Sequence, residues 1–111
     1  MEVPQIAIFS ALAETSRFRI FEMLAKYGEL SASDICRGFS CSASAISQHL
    51  RVLREARLVQ VEKRAQRRVY RIDAQTMREL ETWIGKRTRE WNGRLDAMDD
   101  FLREEEGREE Q

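Results

Sequence analysis

The chain has 111 residues, 42% of them apolar and 34% charged, with 19 basic and 19 acidic side chains that leave no net charge. That length suits one small soluble domain with a modest core. No apolar run approaches the roughly 18 residues of a membrane span, the N-terminus "MEVPQIAIFSALAE" lacks the features of a secretory signal, and two cysteines without a disulfide framework suit a reducing cytosol, so a cytoplasmic setting with no membrane partner is expected.

Ile6, Phe9 and Leu12 form a short helical stripe over about residues 5–13, broken near "AETS". A second helix follows, with Ile20, Phe21, Leu24 and Tyr27 on one face, and stops at Gly28. In "LSASDI", Ser31 is the expected cap of a short third helix, with Asp34 completing a capping box and Gly38 ending it. Ser42 caps the next helix, which runs to about Ala56 with Ile46, Leu50 and Leu53 inward. The close spacing of the last two reads as a helix-turn-helix over about 31–56. The period then changes: "LVQVEKRAQRRVYRI", about 58–72, reads as a hairpin of two strands around a basic middle.

From Ala74 to about Glu105 the chain is helical again. Met77, Ile84, Trp91 and Met98 recur every seven residues, flanked by Leu80, Leu95, Phe101 and Leu102. This stripe is longer than a small domain needs for its own core, so part of it is expected to bind a second subunit. Gly85 and Gly93 each cost this helix about 1 kcal/mol relative to alanine, and they mark a bend or a close approach of another backbone. "REEEGREEQ", from 103 on, is expected to be a frayed acidic tail, assigned to 106–111.

Charge is concentrated although it sums to zero. Ser42 to Ile72 carries eight basic residues against two acidic ones, a local +6, whereas Asp99 to Gln111 carries −5. A neutral protein with one basic block is a candidate for nucleic acid. On the helix after Ser42, the inward residues leave Ser44, Ser47, Gln48, Arg51 and Arg54 on the opposite side. Small hydroxyls and an amide near the start let a helix sit deep in a major groove, where glutamine bonds adenine bidentately and serine meets several base edges. Arg51 and Arg54 would meet the backbone. Lys63, Arg64, Gln66, Arg67 and Arg68 at the hairpin turn are placed to grip phosphates as a wing, adding salt-dependent affinity for double-stranded DNA.

From Ile6 to Leu102 the chain resembles the ArsR/SmtB family of winged-helix repressors. The resemblance rests on "SASAISQHLRVLREARLV", similar to the family's S-x-S-x-x-S-x-H-L-x-x-L helix, and on "AETSRFRIFEML", similar to its D-P-T-R-x-x-I-L-x-x-L helix start. It implies a mainly α fold with a small β-hairpin (α+β): one winged helix-turn-helix domain over 1–105 with a long C-terminal dimerisation helix, about 75–104. It further implies a homodimer joined by the first and last helices, through Ile6, Phe9, Met77, Leu80, Ile84, Trp91, Leu95, Met98 and Leu102, that represses transcription from a palindromic operator. The family's recognition positions correspond to Ser42, Ser44, Ser47, Gln48 and His49, and its wing to Lys63 through Arg68. Two departures are visible. Glu14-Thr15 replaces the family's Asp-Pro, giving a different helix cap, and Ala65 replaces the wing's glycine, so a differently shaped or more mobile wing tip is expected.

Metal-sensing members carry paired cysteines where this chain has Ser31 and Ser33, and serine is a poor ligand for metals that thiolates hold. Asp96, Asp99 and Asp100 on the last helix offer only oxygen on an exposed stretch, without histidine. No metal and no cofactor are therefore expected, and the last helix resembles a subgroup ending in W-x-x-R-L-D-x-L that lacks the usual metal-binding cysteines. Cys36 is read as a small inner residue of the third helix and Cys41 as an apolar staple before Ser42. A thiol-based redox-sensing repressor using Cys36 and Cys41 is the sharper alternative. His49, on the flank of its helix, is read as structural or phosphate-contacting. There is no glycine-rich phosphate loop and no nucleophile with an oriented base, so no catalytic residue is assigned. A winged helix kept as a protein-interaction module is the remaining competitor, and it calls for an apolar or acidic face where this one is polar and basic.

Overall fold

The computed structural model describes residues 4–109, which fall into two compact units meeting at Met77 and Arg78. The first holds α1 (Pro4–Leu12), α2 (Thr15–Tyr27), β1 (Glu29–Ser31), α3 (Ala32–Arg37), α4 (Ala43–Glu55), β2 (Val59–Arg64) and β3 (Arg67–Ile72). The first turn of α5 (Ala74–Glu109) belongs to it as well, and the second unit is the remainder of that helix. Among the described residues no helix is long and apolar enough to cross a membrane.

The helix ends are set by side chains satisfying backbone groups that the helix leaves open. Glu14 caps α2, its carboxylate accepting from the Arg17 N–H at 2.9 Å, so the departure from Asp-Pro keeps a working cap. Gly28 ends α2 at φ +84°, donating to the Leu24 carbonyl at 2.8 Å. Ser31 and Asp34 close the expected capping box in both directions, each bond 3.1 Å. Ser42 Oγ accepts from the Ala45 N–H at 3.1 Å to start α4. At the far end of α4, Leu58 N donates to Leu53 O and Arg57 N to Arg54 O, both at 3.0 Å. That is a Schellman closure with arginine, at φ 62°, in the place glycine usually takes.

Ile20, Leu24, Ile35, Ile46, Leu50, Leu53 and Leu58 are fully buried, joined by Ile8, Ala11, Val59 and Tyr70. Each buried side chain of this size contributes about 1.5–3 kcal/mol of transfer free energy. The inward stripe of α4 is as expected. On α2 it is narrower: Ile20 and Leu24 are buried, Phe21 is half-buried, and Tyr27, in the last turn, is 60% exposed.

Sequence reading expects two strands, and the described residues hold three. β3 is central, antiparallel to β2 on one side (Val59↔Ile72 to Arg64↔Arg67) and to β1 on the other (Glu29↔Arg71, Ser31↔Val69). β1 has three residues, too few to show an alternation in sequence, and it forms because β3 offers it a ladder. The wing turn is Ala65–Gln66. Ala65 takes the left-handed conformation there, at φ 53°. The C-terminal helix continues to Glu109 rather than fraying at 105, with Arg103–Asp99 and Arg108–Glu105 ion pairs one turn apart. The last two residues of the expected tail lie outside the described ones.

Candidate nucleic-acid interface

The burial of Ile46, Leu50 and Leu53 fixes how α4 is turned, leaving Ser44, Ser47, Gln48, Arg51 and Arg54 on its exposed side. Ser44, Ser47 and Gln48 sit in the first two turns, and none of their side chains has a hydrogen-bond partner among the described residues. Ser42 spends its hydroxyl on the cap. Arg51 is paired with Glu55 at 3.1 Å, whereas Arg54 has no ion-pair partner among the described residues. The free amides and dipole at the start of α4 favour an anion there.

His49 is positioned differently. Its side chain is 20% exposed, and Nδ1 lies 3.4 Å from Arg17 Nη1 and 3.7 Å from Glu14 Oε2. Arg17 Nε in turn donates to the Ala11 carbonyl at 2.7 Å. A chain of polar contacts thus runs from the end of α1 through the start of α2 to the flank of α4, and His49 belongs to that brace. The same Arg17 N–H bond holds the Glu14 carboxyl below its ordinary range.

The five wing residues divide into two groups. Arg64 donates to both oxygens of Glu29, at 2.8 and 3.0 Å, and to Glu62 at 2.9 Å. These bonds hold both carboxyls low and the guanidinium higher than usual. Arg67 donates to Ser31 Oγ at 2.8 Å and to Asp34 Oδ2 at 3.3 Å. Lys63, Gln66 and Arg68 are exposed and have no such partners among the described residues. Sequence reading missed Glu29, Asp34 and Glu14 as parts of this region. Only the capping box hinted at Asp34, and nothing local marked Glu29, which meets Arg64 across 35 residues.

Cys36 is half-buried, as an inner position on α3 requires, but Cys41 is exposed and does not staple the start of α4.

Along the second unit Ile84, Trp91, Leu95, Met98, Phe101 and Leu102 are all exposed, Trp91 and Met98 each by 61%. Ile6 and Phe9 on α1 are exposed too. Met77 and Leu80 are half-buried.

Comparison with known proteins agrees with this geometry. The description "Bacterial regulatory protein, arsR family" matches residues 14–61, from the α2 cap into β2. The chain is 40% identical over 74 residues to the HTH-type transcriptional regulator Rv2034 of Mycobacterium tuberculosis, spanning 67% of this chain and 68% of that protein. It is 27% identical over 77 residues to the transcriptional repressor SdpR of Bacillus subtilis, spanning 69% and 84%. The solved structure of an ArsR-like transcriptional regulator from Rhodococcus sp. RHA1 matches with a TM-score of 0.78 at 26% identity, over 88% of this chain and 92% of that one. With its buried helix-turn-helix core, polar α4 face and basic hairpin, the chain belongs to the ArsR family of winged-helix, DNA-binding transcriptional regulators.

Proposed function

We propose that the protein is a cytoplasmic homodimeric repressor that sets the first half of α4 into the major groove of a palindromic operator and rests the β2–β3 turn on the flanking backbone. The observation that carries this reading is the outward face of α4. Three small polar side chains, Ser44, Ser47 and Gln48, stand exposed with their hydrogen-bonding capacity unused, on a helix anchored by three buried apolar residues. In this reading Gln48 offers its amide to adenine, the serines meet neighbouring base edges, and Arg54 and cations of the wing neutralise phosphates. The exposed apolar residues of α1 and α5 are the surfaces a second copy covers.

Selection of binding sequences from a pool of randomised duplexes tests it. Gln48→Ala is expected to relax preference at one position of each half-site, weakening the preferred base by about 1–3 kcal/mol. If the variant selects the same sequences as the wild type with the same affinity, the assigned reading face is wrong.

A further inference from the structure

The wing turn carries four cations, and the fold treats them in two ways. Side chains alternate across a sheet, so Glu62, Arg64 and Arg67 share one face with Glu29 and Ser31, while Lys63 and Arg68, a cross-strand pair, lie on the other. On the first face both arginines are occupied. Arg64 grips the Glu29 carboxylate with two nitrogens, and Arg67 reaches Ser31 and Asp34 at the start of α3. On the second face, Lys63 and Arg68 are exposed and unpaired among the described residues.

The ladder explains why the first pair is needed. β1 supports β3 only from Val69 to Arg71, so the outer part of the hairpin has no third strand beside it. A two-stranded ribbon alone is marginally stable. Arg64 and Arg67 flank the turn as its last cross-strand pair, and both reach back, one to β1 and one to the α3 cap. They continue the support past the end of β1 with side chains instead of backbone. To swing onto a phosphate, Arg64 would give up its charge-assisted bonds to both Glu29 oxygens, and Arg67 the Nη2 bonds that hold it to Ser31 and Asp34. Lys63 and Arg68 give up nothing.

We propose, within the DNA-binding reading above, that Lys63 and Arg68 are the phosphate contacts of the wing, and that Arg64 and Arg67 are positioning residues that aim it by tying it to β1 and α3.

The test is the salt dependence of binding to a random-sequence duplex of about 30 base pairs, because each phosphate contact contributes about 0.9 to the slope of log K against log salt. Lys63→Gln and Arg68→Gln are each expected to lower that slope by about 0.9 per subunit. Arg64→Gln and Arg67→Gln are expected to leave the slope in place, lower affinity at fixed salt, and speed amide hydrogen exchange across Glu62–Arg68 in the free protein. Exchange there should not change in the Lys63 or Arg68 variants. An equal slope loss in Arg64→Gln or Arg67→Gln overturns the assignment, as does an unchanged slope in the other pair. Should Arg67→Gln fail to fold for want of its α3 contact, the Arg64 variant and the Lys63–Arg68 pair decide the matter. A wild-type protein without salt-dependent binding would sink the DNA-binding reading itself, a separate outcome.

Discussion

At Arg57 and Ala65 the backbone takes φ of 62° and 53°, the left-handed region in which Cβ crowds the next carbonyl at a cost of about 1–2 kcal/mol. Arg57 is held there by the two bonds that close α4 and by Leu58, which that bend delivers into the core. Replacing it with glycine keeps the closure and relieves the crowding, less the entropy glycine adds to the unfolded chain. Arg57→Gly is therefore expected to stabilise by about 0.5–1 kcal/mol, read as a higher urea midpoint at unchanged m. Asp34 makes a second prediction. Its carboxyl lies below its ordinary 3.8 because Ser31 hydrogen-bonds it, with Arg37 and Arg67 adding charge. A carboxylate whose folded pKa is depressed stabilises the fold at pH above the unfolded value, and that contribution fades as pH falls through the folded one. The difference in melting temperature between wild type and Asp34→Ala should be full at neutral pH and shrink below about 3.8. A difference independent of pH would mean that the charge on Asp34 plays no part.

Among the elements, α4 joins stability to recognition. Leu53 is fully buried on it and also supplies the carbonyl that closes the helix onto Leu58. Leu53→Ala should cost about 2–5 kcal/mol by leaving a cavity, a large part of the roughly 5–15 kcal/mol that holds a domain together. Thermal melts check this, and a loss under 1 kcal/mol would mean that the site collapses around the smaller side chain. This helix was also the most legible in sequence, since its cap, its inward stripe and its polar face all follow from period and residue type. What escaped was non-local. A three-residue strand shows no period, the occupied state of Arg64 depends on a glutamate 35 residues away, and the exposure of Cys41 depends on how the loop before Ser42 is closed. On α2 the stripe ends early for a related reason: Tyr27 has the right spacing, but the fold leaves it 60% exposed.

For the molecule as a whole, the decisive question is what covers α5. Five of its six exposed large apolar residues among the described ones fall at 84, 91 and 98 and at 95 and 102, two seven-residue series in the a and d spacing of a helix seam, with Phe101 beside them. Monomeric proteins rarely leave so much contiguous apolar surface in water, and in the proposed dimer a second copy of the same helix would supply a matching surface through a two-fold axis. A charge placed in that seam would be desolvated without a partner. If the proposed dimer uses this seam, Trp91→Asp together with Met98→Asp is expected to give monomers by sedimentation equilibrium at concentrations where the wild type sediments as a dimer. The first unit, whose core uses neither residue, should stay folded by circular dichroism, its melting temperature lowered only by the loss of association. DNA affinity should fall far more than either residue could contribute by contact, because a dimer engages two half-sites about 10 base pairs or a multiple apart, and each engaged half-site raises the effective concentration of the other. A doubly substituted protein that stays dimeric would place the subunit contact elsewhere than on this stripe. One that becomes monomeric yet binds as tightly as before would separate dimerisation from operator recognition.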